Sequence, residues 1–322
     1  MSGTSTARMS NQSSRKVVVT GIGLALPGVA TCGALLGPLP GEGGFDPATG
    51  LVGREMRHKD RASRLALRAV ESALHDAGLT DAYATFTGVA NSTAVVVSTN
   101  LGNADSVCEA ADTIASEGVR GLSPLGLPQT SSNVIASWVA IRYGLRGPNL
   151  TVCNGVTSGL DALAWARTLV VAGRAEAAVV VGVEPANEVA TKLLGEQSTD
   201  AAVAVVLEPA AAAASRGARP RATIAGYARA RDLAVALASA GVTEKKSVGL
   251  WLGDEAGAGA GQLLTGTLRI DLEAQLGPLS GALGVLQCAA GAAYLEGDAT
   301  GDVLATAGGP RHDAAAALLL TP

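Results

Sequence analysis

Thr151–Ala166 reads TVCNGVTSGLDALAWA, and the fold turns on how this stretch is parsed. It reads as a strand end, a tight turn and a helix start, with the strand over Leu150–Cys153 and the helix from Ser158 to Ala172. Such a junction often presents a nucleophile at the helix N-terminus. Two candidates stand there, Cys153 and Ser158, but Val156 occupies the sharpest part of the turn. Cys153 lies three residues before Val156, and an odd offset on a regular strand points to the opposite face, so Cys153 reads as a packing residue. Ser158 at a helix start reads as a hydroxyl that caps backbone N–H groups.

Further strands are legible on either side. KVVVT at 16–20, TAVVVS at 93–98, AAVVVGV at 177–183 and AVAVVL at 202–207 are β-branched or apolar runs of strand length. ASRLALRAVESALHDAG carries Leu65, Ala69, Val70, Ala73, Leu74 and Ala77 on one helical face, with Asp60 placed to cap its start and Gly78 to end it. NVIASWVAIRYG is helical up to Gly144, and the Gly- and Pro-rich segment 33–51 is loop.

The second half repeats this outline. A strand at 222–226 precedes DLAVALASAG, a helix that ends in AGVT where the first-half helix ends in AGLT. VGLWLG at 248–253 is a strand, and SGALGVLQCAAGAAYLEG from Ser280 mirrors SGLDALAWARTLVVAG from Ser158. Each of these helices opens on Ser-Gly, ends at Gly and leads into a β run. The matching order of elements argues an internal duplication. Strands alternating with helices argue an α/β fold with buried sheets.

Composition narrows the function. The chain has 322 residues, 48% hydrophobic and 16% charged, with a net charge of −4 and no basic stripe, which argues against nucleic acid as a partner. Gly and charged residues interrupt every apolar run before it reaches membrane-spanning length. Cys32, Cys108, Cys153 and Cys288 are scattered without CxxC spacing, so neither a zinc site nor a disulfide framework is expected, in keeping with a reducing cytoplasm. Cys108 and Cys288 sit in helix-like apolar patterns and read as buried packing residues. Residues 1–15 are polar, lack the apolar core of a secretion signal and read as a flexible tail. The Gly-rich stretches 41–44 and 253–261 lack a GxxxxGKS or GxxxxGKT pattern, so no nucleotide loop is expected. Asp254 and Glu255 have no third ligand in view, so no metal and no cofactor are expected. His58 and His75 read as solvated, as does His312, which has Asp313 beside it without forming a dyad.

Several segments together resemble the β-ketoacyl synthases of the thiolase-fold superfamily. KVVVTGIGLALPG is similar to their opening strand and loop, DRASRLALRAVESALHDAGL to their first long helix, and SPLGLPQTSSNVIASWVAIRYGLRGPNLTV to the approach to the active-site strand. GLRGPNLTVCNGVTSGLDALAWA resembles the nucleophile segment, and GLDAL looks like the chain length factors, the non-condensing partners of ketosynthases in type II polyketide systems. The resemblance implies a thiolase-like fold: two pseudo-repeated halves, here 16–212 and 213–322, in five alternating layers of helix and sheet. It also implies a dimer. The strand Asn149, Leu150, Thr151, Val152 and Cys153 would pair with its mate, and Leu127, Pro128, Asn133 and Trp138 would pack nearby.

The same resemblance places substitutions at the catalytic positions. Val156 stands where the family has its cysteine, Asp254 and Pro278 where it has two histidines, and Glu273 where it has a lysine. Condensation needs a thiolate to hold the acyl group and imidazole N–H groups to stabilise an enolate, and these residues supply neither. The chain also lacks the long loop that covers the family's active site between 188 and 232. The reading is therefore a non-condensing, chain-length-factor-like cytoplasmic subunit. It would pair with an active ketosynthase in polyketide or polyene biosynthesis and shape the acyl channel or acyl carrier protein docking. One alternative is repurposed chemistry on carrier-bound chains (acyltransferase, hydrolase, isomerase or cyclase), with Cys153, Ser158, Asp254 or His312 as candidates. Another is a homodimeric scaffold that binds the carrier protein.

Overall fold

The computed structural model describes residues 16–39, 43–243, 247–253, 264, 266–297 and 300–322. Its strands are β1 (Val17–Ala25), β2 (Thr93–Ser98), β3 (Asn149–Val152), β4 (Ala177–Glu184), β5 (Ala201–Pro209), β6 (Ala222–Ala230), β7 (Val248–Leu252), β8 (Leu268–Ile270), β9 (Asp302–Gly308) and β10 (Ala315–Thr321). The helices that matter here are α1 (Arg61–Asp76), α2 (Ala104–Glu117), α3 (Val134–Tyr143), α4 (Ser158–Val171), α5 (Leu233–Ser239), α6 (Leu272–Leu276) and α7 (Leu283–Glu296).

The duplication inferred from sequence is explicit in the strand order, β3-β2-β4-β5-β1-β6-β10-β9-β7-β8. Reading outward from the β1/β6 seam, each half repeats the same order and the same directions. The first two pairings, β1–β5 and β5–β4 or β6–β10 and β10–β9, are antiparallel. The next two, β4–β2 and β2–β3 or β9–β7 and β7–β8, are parallel. The halves meet through a short ladder, Val18↔Thr223 and Val19↔Ala222. The expected boundary at 212/213 falls in the short helix Ala210–Ser215 between β5 and β6.

Alternation along the strands sorts side chains into layers. On β4, Val179, Val181 and Val183 face α1 and α3 together with Leu65, Val70, Leu74 and Ile135. Ala178 and Val180 face the opposite way, into a core shared with Leu160 and Leu163 of α4, Val285 and Leu286 of α7, and Val303 and Leu318 of the second half. On the far side Leu304, Ala317 and Leu319 pack under Leu233 and Leu237 of α5. The order is therefore helix, sheet, helix, sheet, helix. Because both faces of the central strands are covered, they read as continuous apolar runs.

The local signals perform as expected at several ends. Asp60 caps α1 by accepting from Ser63 N–H at 2.7 Å, and Gly144 ends α3 in a left-handed conformation with φ 66°. The two buried central helices cross backbone to backbone. A Cβ built on Gly284 would lie 2.3 Å from Leu160 N, and one on Gly159 would lie 2.6 Å from Gly284 N. The Ser-Gly opening of α4 thus puts Gly159 at the crossing, opposite Gly284 of α7.

Some expectations need correction. Cys288 is buried, but Cys108 is exposed on α2. The helix-like pattern around Cys108 is indeed a helix, but none of its residues is buried. Among the described residues no helix is long and apolar enough to cross a membrane, and no group of three or more potential ligands is placed to hold a metal ion.

Candidate functional site

Val156 sits in a single 3-10 turn, Gly155–Thr157, between β3 and α4. The turn is pinned from three directions. Asn100, in the loop after β2, accepts from Gly155 N–H at 3.2 Å and from Ser158 Oγ at 2.9 Å. Its Nδ2 donates to Gly155 O and to Ser280 Oγ, both at 2.9 Å, so one amide ties the turn to the second half.

Ser158 does not cap α4. Its Oγ accepts from Asn154 N–H at 2.6 Å, four residues back, and donates to Asn100. A fully buried hydroxyl engaged at both ends is a turn lock, not a free nucleophile. Ser158→Ala is expected to lower stability by about 1 kcal/mol, because Asn154 N–H and Asn100 Oδ1 each lose a partner. A urea titration of the two proteins measures this.

Asp161 secures the turn from below. Its carboxylate accepts from Asn154 Nδ2 and Thr157 Oγ1, each at 2.9 Å, and from the Tyr227 hydroxyl. Arg229 Nε lies 3.7 Å from the same carboxylate and 3.3 Å from Thr157 Oγ1. Tyr227 and Arg229 both come from β6, so the second half again holds the first-half turn. Burial, and then the Asp161 carboxylate, push the Tyr227 phenol well above its ordinary range.

Glu184, at the end of β4, forms a second hub. Its carboxylate accepts from Asn100 N–H at 2.6 Å, Gly281 N–H at 3.0 Å, Leu101 N–H at 3.1 Å and Thr99 Oγ1 at 3.3 Å. Ser280, in the left-handed region at φ 45°, is over-determined by these contacts and by Glu273.

Of the residues singled out in the sequence, Val156, Glu273 and His312 share a cavity of about 70 Å³, together with Gln287 and Thr306. Glu273 Oε1 accepts from Leu279 N–H at 2.8 Å and Ser280 N–H at 3.3 Å, so this carboxylate braces the loop that carries Pro278. Pro278 is half-buried in that loop and does not line the cavity. Asp254 lies outside the described residues. Cys153 follows the end of β3, is exposed in the single chain and does not line the cavity, so the packing role read for it is not what this chain alone displays. Partial burial and then the Glu184 charge raise the Cys153 thiol pKa, which leaves little thiolate near neutral pH. Asn100, Glu184, Asp161, Tyr227 and Arg229 were missed in the sequence. Only the Asp161 of GLDAL carried a signal, a carboxylate one turn into an apolar helix.

This strand–turn–helix is tied to both halves of the repeat, through Asn100 and Asp161. Residues 31–203, more than half of the chain, match the family described as "Beta-ketoacyl synthase, N-terminal domain", and the chain belongs to that family. It is 28% identical to a 3-oxoacyl-[acyl-carrier-protein] synthase 2 of Vibrio harveyi over 54% of this chain and 47% of that protein. It is 31% identical to the granaticin polyketide putative beta-ketoacyl synthase 1 of Streptomyces violaceoruber over 47% of this chain and 42% of that protein. The aligned part covers less than half the length of these curated relatives. Among solved structures, the ishigamide ketosynthase/chain length factor superposes with a TM-score of 0.71 at 24% identity, covering 95% of this chain and 99% of that one. A type II polyketide acyl-carrier protein in complex with its ketosynthase gives 0.78 at 18% identity, with the same coverage. These likenesses bear on the fold.

Proposed function

We propose that the chain is a non-condensing ketosynthase-like subunit, chain-length-factor-like in character. It pairs with an active ketosynthase in type II polyketide or polyene biosynthesis and shapes the partner's acyl channel or its carrier-protein docking. The observation that carries this reading is the turn itself: it is fully built and held by Asn100, Asp161 and Ser158, yet it offers an isopropyl group. Val156 has no lone pair to take an acyl group. The positions matched to the family's catalytic residues, Val156, Pro278, Glu273 and Asp254, provide no imidazole. Cofactor and metal have no part in this reading, and its compartment is the cytoplasm.

The partner surface proposed is the β3 edge with its neighbours. β3 ends the sheet order, so one side of its backbone has no strand beside it among the described residues. Asn149 orients the strand through Nδ2 to Ala136 O at 3.0 Å, and Thr151 Oγ1 is buried without a hydrogen-bond partner among the described residues. Leu127, in the turn that contains Pro128, is exposed near Asn133 at the start of α3. Trp138 is instead partly engaged within the chain, donating to Gln129 Oε1 at 3.3 Å with Lys59 4.2 Å over its ring.

Co-expression with a ketosynthase that keeps its cysteine and two histidines is expected to give a one-to-one complex on size exclusion. Leu150→Asp is expected to abolish it. A chain that stays monomeric beside every such partner would sink the reading. Stable self-pairing without a ketosynthase would favour the homodimeric scaffold. The meeting of Glu273 and His312 at one cavity favours the repurposed-enzyme reading as a second choice. Turnover of acyl carrier substrates by the isolated chain, lost in His312→Ala, would support it.

A further inference from the structure

We propose that the larger cavity beside Val156 is an anion site for a phosphate ester, independent of whether the chain pairs with a ketosynthase. The cavity measures about 290 Å³ and is lined by Asn154, Val156 and Thr157 of the turn, Arg229 of β6, and Arg311 and His312 between β9 and β10. Two arginines and a histidine therefore border it, with Asp313 the one acidic lining residue among the described residues. Planar guanidinium groups suit tetrahedral oxyanions.

Arg229 is already oriented. Its Nε faces Thr157 Oγ1 and Asp161, while 44% of its side chain stays exposed. Asp161 also holds Asn154, Thr157 and Tyr227, so its charge is spread over several donors. Arg311 and His312 are exposed, and their side chains make no hydrogen bond or ion pair among the described residues. The fourteen-residue helix α4 begins at the same turn, which adds the positive end of a helix dipole.

A separate observation extends the ligand inward. The adjoining 70 Å³ cavity shares Val156 and His312 with the larger one and is also lined by Gln287. Gln287 is 2% exposed, and its Oε1 has no hydrogen-bond partner among the described residues. Its Nε2 is committed to Leu252 O and Thr306 O, so the free oxygen is an acceptor that calls for an N–H or O–H donor. The two cavities together fit a phosphate at the arginines and a donor-bearing body reaching toward Gln287.

Isothermal titration of the purified full chain at low ionic strength tests this with inorganic phosphate, sulfate, acetate and glycerol phosphate. Phosphate is expected to bind at one saturable site with sulfate competing, acetate to bind at least about tenfold more weakly, and glycerol phosphate to bind more tightly than phosphate. Arg311→Ala is expected to weaken phosphate about tenfold or more, His312→Ala to weaken it as well, and the remote Arg174→Ala to leave it unchanged. Absence of saturable binding, acetate equal to phosphate, glycerol phosphate no tighter than phosphate, or Arg311→Ala equal to the parent would overturn the proposal.

Discussion

Gly284→Ala is expected to lower the stability of the whole chain by about 3 kcal/mol, the upper part of the range for overpacking a core. The added methyl would lie 2.3 Å from Leu160 N and 2.6 Å from Gly159 C. Both contacts are backbone, so no side chain can rotate away. α4 and α7 would have to separate, and these two helices carry the core shared by the two halves. The loss is therefore not local. Gly37→Ala is the matched control: its φ is −148° and a new Cβ meets nothing within 4 Å. There alanine is expected to be neutral or slightly stabilising, by less than about 1 kcal/mol, through the unfolded chain. Thermal midpoints of the three proteins decide it. Equal midpoints for Gly284→Ala and the parent would mean that the helices have slack at their crossing.

Glu184→Gln is expected to cost about 1–3 kcal/mol, with a dependence on pH that identifies its cause. The carboxylate faces donors on both oxygens, Asn100 and Gly281 on one and Leu101 and Thr99 on the other. An amide would turn its own NH₂ toward one of these pairs. Burial raises the Glu184 pKa above its ordinary 4.5, and the hydrogen bonds offset this only in part. For a carboxyl with a raised folded-state pKa, its contribution to stability is fully present below 4.5 and is lost as pH rises through the folded value. Glutamine does not titrate. The gap between parent and variant should accordingly narrow as the solution is taken upward from acid. A gap that widens with pH would show that the hydrogen bonds to the ionised form outweigh burial.

The architecture was more legible in the sequence than the site. β-branched and apolar runs marked β2, β4 and β5, and the paired Ser-Gly helix starts revealed the duplication because buried strands and buried helices tolerate little else. β6 was read as ending at Gly226, but it continues to Ala230. Its second part, with Tyr227 and Arg229, is only partly buried and lacks the apolar signature of a covered strand. Those two residues reach Asp161 and Thr157 beside the Val156 turn, so the shortened strand concealed part of the site. Ser158 was placed correctly at a helix start and given the wrong partner. Its rotamer is set by Asn100, which is 58 residues away in sequence and beyond any local rule. Val156 at the turn was visible in the sequence, whereas the clamp around it depends on loops that only the fold brings together.

The two ends of the sheet are related by the internal repeat but are not equivalent. β3 is four residues long and offers Leu150 and Thr151, whereas β8 is three residues long with an exposed Leu268 and Arg269. An assembly that joins β3 to β3, of this chain or of a homologous one, uses the same face on both sides and closes at two chains. Joining β3 to β8 would leave a fresh edge at each end and would propagate without limit. Shortness and an arginine on β8 discourage that second route. In an assembly built through β3, this asymmetry between the two repeats would favour a finite pair over a filament.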